Sequence, residues 1–99
     1  MVYLVRTAHI INDWEKVGEL YRDLSTHIKE KYEQVKDSYF LLNIAGPVDQ
    51  IHWVIAFDSL ADEESYAHKV MDDPKYVEAM KMTMDLMSPP VDRLYRKIF

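Results

Sequence analysis

Cysteine is absent from this sequence, which excludes a disulfide framework and thiolate chemistry. Glycine is nearly as scarce, with two residues, so no glycine-rich loop exists to cradle a phosphate. Positive charge is in the minority: 12 Lys and Arg stand against 17 Asp and Glu, a formal net charge of −5. That balance argues against binding along a phosphate backbone, and no nucleic-acid partner is expected. No apolar run approaches the roughly 20 residues a membrane helix needs. The opening Met1-Val2-Tyr3-Leu4-Val5-Arg6 lacks a basic stretch followed by an apolar one. A cytoplasmic protein with no membrane partner is the expectation. The four histidines, His9, His27, His52 and His68, include no i, i+4 pair and no H-E-x-x-H; no metal site and no cofactor are expected.

What is present is a globular composition, 48% hydrophobic and 29% charged over 99 residues. One domain spanning 1–99 is expected, without repeat or linker. Residues 2–10 are rich in β-branched and apolar types and read as a strand. Asn12 and Glu15 then have capping-box spacing. Trp14, Val17, Leu20, Tyr21, Leu24, Ile28, Tyr32 and Val35 follow at steps of three and four, which predicts an amphipathic helix of about six turns. Gly18 inside that helix costs about 1 kcal/mol against Ala, so close packing is expected there. Residues 38–45 and 51–58 read as two strands joined by Gly46-Pro47-Val48-Asp49, an antiparallel hairpin. Ser59 with Asp62 opens a second helix, and Asp73-Pro74 restarts it toward Met87. Residues 91–98 form the last strand. The order is βαββαβ, a ferredoxin-like α+β fold with a four-stranded antiparallel sheet and two helical segments on one face.

Two helices cover one side of such a sheet. Side chains alternate along a strand, so Val2, Leu4, Ala8 and Ile10 share one face and Tyr3, Val5, Thr7 and His9 the other. Leu41, Val54 and Ala56 also fall on second faces. A wet second face alternates cleanly to polar residues; this one does not. An uncovered apolar face marks an interface, and a two-fold partner is the commonest remedy. The Tyr3, Val5, Thr7, His9 face is the expected dimer face.

The sequence Trp53-Val54-Ile55-Ala56-Phe57-Asp58-Ser59-Leu60, and the Asp73-Pro74-Lys75-Tyr76 break, resemble the dimeric α+β barrel superfamily, in particular its antibiotic-biosynthesis monooxygenase-like and NIPSNAP-like members. The resemblance implies a homodimeric barrel with a ligand cleft between sheet and helices. Haem-degrading members use an Asn, a Trp and a His at places that fall near Thr7, Val70 and Met80, where this sequence has none of the three types.

The candidate catalytic residues are His9 and His52 on strands and His68 on the second helix, each able to act as acid or base near neutral pH. Ordinary hydrogen-bonded structural histidines are the alternative. His27, off the apolar stripe, is expected to be solvated. Met71, Met80, Met82, Met84 and Met87 crowd into the last helical region; flexible thioethers suit a soft apolar cavity and equally an ordinary core. The candidate ligand-binding residues are Tyr3, Thr7, Tyr39, Asn43, Trp53, Met80, Met84 and Tyr95. Arg6, a charge within an apolar strand, needs a partner if buried: Asp58, Asp92 or a ligand carboxylate. The acidic run Asp62-Glu63-Glu64 suits a first helical turn and needs no catalytic role. The reading is a homodimer that binds an amphipathic molecule, fatty-acid-like or polyketide-like, in an apolar cleft. The alternatives are a cofactor-independent oxygenase or isomerase, and a subunit whose only role is assembly.

Overall fold

The computed structural model describes residues 1–99. Its elements are β1 (Val2–His9), α1 (Trp14–Lys31), β2 (Asp37–Leu42), β3 (Gln50–Phe57), α2 (Leu60–Val70), α3 (Pro74–Thr83) and β4 (Val91–Arg96). The strands form one sheet in the order β2-β3-β1-β4, with every neighbouring pair antiparallel. This is the ferredoxin-like α+β fold.

The helices pack on one face. Trp53, Ile55 and Phe57 of β3 meet Leu24 and Ile28 of α1 and Tyr66, Val70, Tyr76 and Ala79 of α2 and α3. A second cluster at the other end joins Ala8, Ile10, Val17, Tyr21, Leu86 and Met87. The stripe of α1 behaves as its spacing predicts, with Val17, Tyr21, Leu24 and Ile28 buried, except that Trp14 at its start is 47% exposed.

Several boundaries differ from the sequence reading. The cap of α1 is Asp13, not Asn12. Asp13 takes a left-handed conformation (φ 50°) and its carboxylate accepts the Lys16 N–H, a role that Asp fills well. The helix ends at Lys31, five turns long; Tyr32 and Val35 reach the core from the loop beyond it. Gly18 is exposed, and a Cβ built there meets nothing within 4 Å, so close packing does not explain it. Ser59 and Asp73 cap α2 and α3 as expected. The last helix stops at Thr83 rather than continuing to Met87. The turn beyond it is stitched to the end of β1: Met87 bridges Ile10, Ser88 N–H donates to His9 O (2.9 Å), and His9 N–H donates to Ser88 Oγ (2.8 Å). The methionine-rich segment is thereby fixed beside the sheet.

No helix covers the other face. Strand register lines up Tyr39, Val54, Val5 and Arg93 in one row and Leu41, His52, Thr7 and Val91 in the next. Tyr39, Leu41, Val91 and Tyr95 are 38–52% exposed there. No helix is long and apolar enough to cross a membrane.

Candidate functional site

Strand alternation turns Arg6 toward the helices, between Trp53 on β3 and Asp92 on β4. The guanidinium makes a two-pronged ion pair with Asp92, Nε to Oδ1 at 2.8 Å and Nη2 to Oδ2 at 2.9 Å. Its Nη1 donates to Tyr76 Oη (2.7 Å) and to Met80 Sδ (3.2 Å). Burial disfavours the charge on Arg6, but the bonds to Asp92 and Tyr76 outweigh it and hold the group above its ordinary pKa. Arg6 thus ties the sheet to α3.

Two apolar lobes meet at this junction. The first, about 430 Å³, lies between the sheet and α2, walled by Leu4, Ile55, Tyr66 and Val70 over Trp53. The second, about 590 Å³, lies between α3 and the segment that follows it, walled by Val77, Met80, Met84, Met87, Pro89 and Pro90. Arg6, Met71 and Tyr76 line both. Each lobe falls within the size range of small-molecule sites.

Glu63 lines the first lobe from the first turn of α2. The residue is 8% exposed, and its Oε2 is buried without a hydrogen-bond partner. Burial raises its pKa, and the neighbouring charges of Glu64 and Asp92 add to the effect. Tyr66, buried beside it, is pushed well above the usual phenol range, chiefly by burial. The cleft therefore holds a neutralised Arg–Asp pair, two phenols and a carboxyl group whose pKa burial raises, with Arg93 on the lining at the edge strand.

No family model and no curated protein matches the sequence. Solved structures do match it along nearly all its length. SnoaB, a cofactor-independent oxygenase of Streptomyces nogalater, superimposes with a TM-score of 0.79 at 6% identity, covering 99% of this chain and 93% of its own. A candidate antibiotic biosynthesis monooxygenase of Nitrosomonas europaea gives 0.78 at 15% identity, with both chains covered in full. A NIPSNAP domain protein of Burkholderia xenovorans gives 0.77 at 13%, over 98% and 94%. The chain has the ferredoxin-like fold of the monooxygenase-like and NIPSNAP proteins. At these identities the likeness speaks for the fold alone.

On this ferredoxin-like frame the residues picked from the sequence divide between two faces. Trp53 forms the floor of the first lobe, 1% exposed, its indole N–H donating to Ser38 Oγ at 2.9 Å. Met80 and Met84 line the second lobe, Met84 at its exposed rim. Tyr3, Thr7, His9, Tyr39, His52 and Tyr95 lie on the helix-free face, with Asn43 just past the end of β2, because their parity along the strands is opposite to that of Arg6 and Trp53. None of these seven lines either lobe. His68 is exposed on α2, also outside both lobes.

Three of the outer-face residues form a polar chain instead. The Asn43 amide nitrogen donates to Pro47 O and Gln50 Oε1, both at 2.9 Å. Its oxygen is left to accept from His52 Nε2 (2.8 Å), so His52 Nδ1 accepts from the Thr7 hydroxyl (2.8 Å). His9 turns instead to Asp49 (3.3 Å). His27 is not free in solvent: its Nε2 meets the buried Asp73 carboxylate at 2.8 Å. Asp92, not Asp58, is the partner of Arg6; Asp58 pairs with Lys36 at 3.6 Å.

The sequence reading missed Glu63, Tyr66 and Tyr76 as cleft residues. A signal for Glu63 was present. It stands three and seven positions before Tyr66 and Val70, on the buried stripe of α2, whereas Glu64 beside it is exposed.

Proposed function

We propose that this chain binds a small amphipathic molecule in the two-lobed cleft, with the apolar body against the methionine and aromatic walls and the polar end near Arg6, Glu63 and Tyr76. The observation that carries this reading is the convergence of both apolar lobes on one polar junction on the helix side of the sheet. A filled interior, which an assembly-only subunit calls for, is not what lies there. Flexible Met80, Met84 and Met87 suit a ligand of variable outline, fatty-acid-like or polyketide-like.

The working unit in this proposal is a homodimer of single 1–99 domains, paired through the helix-free face. The exposed apolar side chains of Tyr39, Leu41, Val91 and Tyr95 on that face support it, since burial is worth about 25 cal/mol per Å² of apolar area. In that arrangement His9, His52, Tyr39 and Tyr95 belong to the interface. In an oxygenase or isomerase step the groups placed to hand a proton to the ligand or hold one near it are then the cleft residues Glu63, Tyr66 and Tyr76, not a histidine.

The test is calorimetric titration of the purified protein with 1-naphthol. The wild type is expected to bind it. Ala67→Trp, which places an indole in the first lobe from the half-buried wall of α2, is expected to weaken binding at least tenfold while leaving the circular dichroism spectrum unchanged. Equal affinity in the two proteins counts against the cleft.

A further inference from the structure

Glu63 occupies a position that its own stability does not favour. The first turn of α2 has three acidic residues, Asp62, Glu63 and Glu64. Any of them complements the helix dipole from the solvent side. Glu63 instead points inward, 92% covered, with Oε2 unpaired. A buried polar atom without a partner is destabilising, and native structures contain few of them. Leu at this site would continue the stripe of Tyr66 and Val70. Glu63 also forms no salt bridge with either arginine that lines the lobe: the Arg6 guanidinium is spent on Asp92, Tyr76 and Met80, and Arg93 is exposed at the edge strand.

We propose that Glu63 is the polar contact of this cleft and that it selects a neutral hydroxyl group, phenolic or enolic, on an otherwise apolar ligand. The inference rests on the reading of the cleft as a small-molecule site. The chemistry follows from the groups that surround the carboxyl. An anionic ligand end would lie against the Glu63 carboxyl and beside Asp92, while Arg6 is already engaged by Asp92 and Arg93, the other cation on the lining, is exposed on β4 in register with the helix-free row. A cationic end would face Arg6. A neutral hydroxyl meets no such opposition, and it can donate to the unpaired Oε2 of Glu63. The apolar walls of Leu4, Ile55 and Val70 fit the remainder of such a ligand.

Four probes that share a naphthalene ring separate the possibilities: 1-naphthol, 1-methoxynaphthalene, 1-naphthoate and 1-naphthylmethylammonium, titrated against the wild type, Glu63→Gln and Glu63→Leu. The wild type is expected to bind 1-naphthol about tenfold more tightly than its methyl ether, the factor that one buried hydrogen bond supplies. Glu63→Gln, which keeps a donor and an acceptor, is expected to retain most of that preference. Glu63→Leu is expected to lose it, bind the ether as well as the wild type does, and melt at a higher temperature. A tightest complex with naphthoate would make Arg6 the anchor and overturn the proposal. A tightest complex with the ammonium probe would mean an ionised Glu63 and overturn it equally. Equal affinity for naphthol and ether, or an unchanged preference in Glu63→Leu, rejects Glu63 as the selecting group while leaving the cleft as a binding site. Failure of all four probes to bind removes both.

Discussion

Arg6 on β1 and Asp92 on β4 stand opposite each other in the strand register and are joined by two hydrogen bonds of 2.8 and 2.9 Å. Arg6 is turned toward the helices while the Asp92 carboxylate stays partly open to solvent, and the pair sets the polar floor between the two lobes of the cleft. Removing one partner leaves the other uncompensated in a largely apolar place. Asp92→Ala is expected to lower stability in urea unfolding by about 1 kcal/mol, since the half-exposed carboxylate is screened by solvent. The double change Arg6→Met with Asp92→Leu is expected to recover most of it, because no charge is then left without its partner and the pair can be replaced by apolar packing at little cost. A double variant as unstable as Asp92→Ala alone would show that the ion pair itself holds β4 in place.

Asp73 links α1 to α3. Its carboxylate accepts from Tyr32 Oη (2.7 Å), from His27 Nε2 (2.8 Å) and from the Lys75 backbone N–H (3.0 Å). Burial opposes the charge, but these bonds outweigh it and keep the carboxyl well below the usual carboxylate range. A group whose pKa is depressed in the fold stabilises above its unfolded value, and that contribution fades as the pH falls through the folded one. Asp73→Asn is therefore expected to cost about 2 kcal/mol at pH 7. The difference from the wild type is expected to shrink once the pH drops below about 4. Chemical unfolding from pH 7 to pH 2 measures it; a difference that grows toward acid contradicts the assignment.

Gly18 lies in the middle of α1, exposed, with open space where a Cβ would go. Gly18→Ala is expected to stabilise the protein by about 0.5–1 kcal/mol, through helix propensity and a less flexible unfolded chain. Thermal unfolding checks the sign. A destabilised variant would mean that something outside this chain approaches the helix at that point.

The helix-free sheet face is the proposed dimer surface. Sedimentation equilibrium at micromolar concentration is expected to give twice the 11.8 kDa chain mass. Tyr39→Glu with Leu41→Glu, both on that face and both exposed in the single chain, is expected to shift the protein to monomer. A monomeric wild type would remove the dimer without touching the cleft on the opposite side.

The fold was readable because its signals were strong and redundant: the α1 stripe, the Ser59 and Asp73-Pro74 caps, and the apolar alternation of β1 and β3 all agree with the order βαββαβ. The site was read less well. Strand alternation gives two faces but does not say which one the helices cover. Thr7, Asn43, His9 and His52 are polar by type but share the uncovered side, where Thr7, His52 and Asn43 satisfy one another. Arg6 stood out as a buried charge, and Asp92 was among its named partners. Glu63 was absorbed into an acidic helix start, because the dipole explanation fits all three residues there and only the helical phase separates the inward one from its neighbours.

The claim on which the account depends is that ligand enters between the sheet and α2 and α3. Methyl NMR of the wild type titrated with 1-naphthol tests it most directly. Shifts centred on Val70, Met71 and Met80, with the Val5, Leu41 and Val54 methyls unmoved, are the predicted result. Shifts confined to Val5, Leu41 and Val54 would place the site on the other face of the sheet and contradict the account.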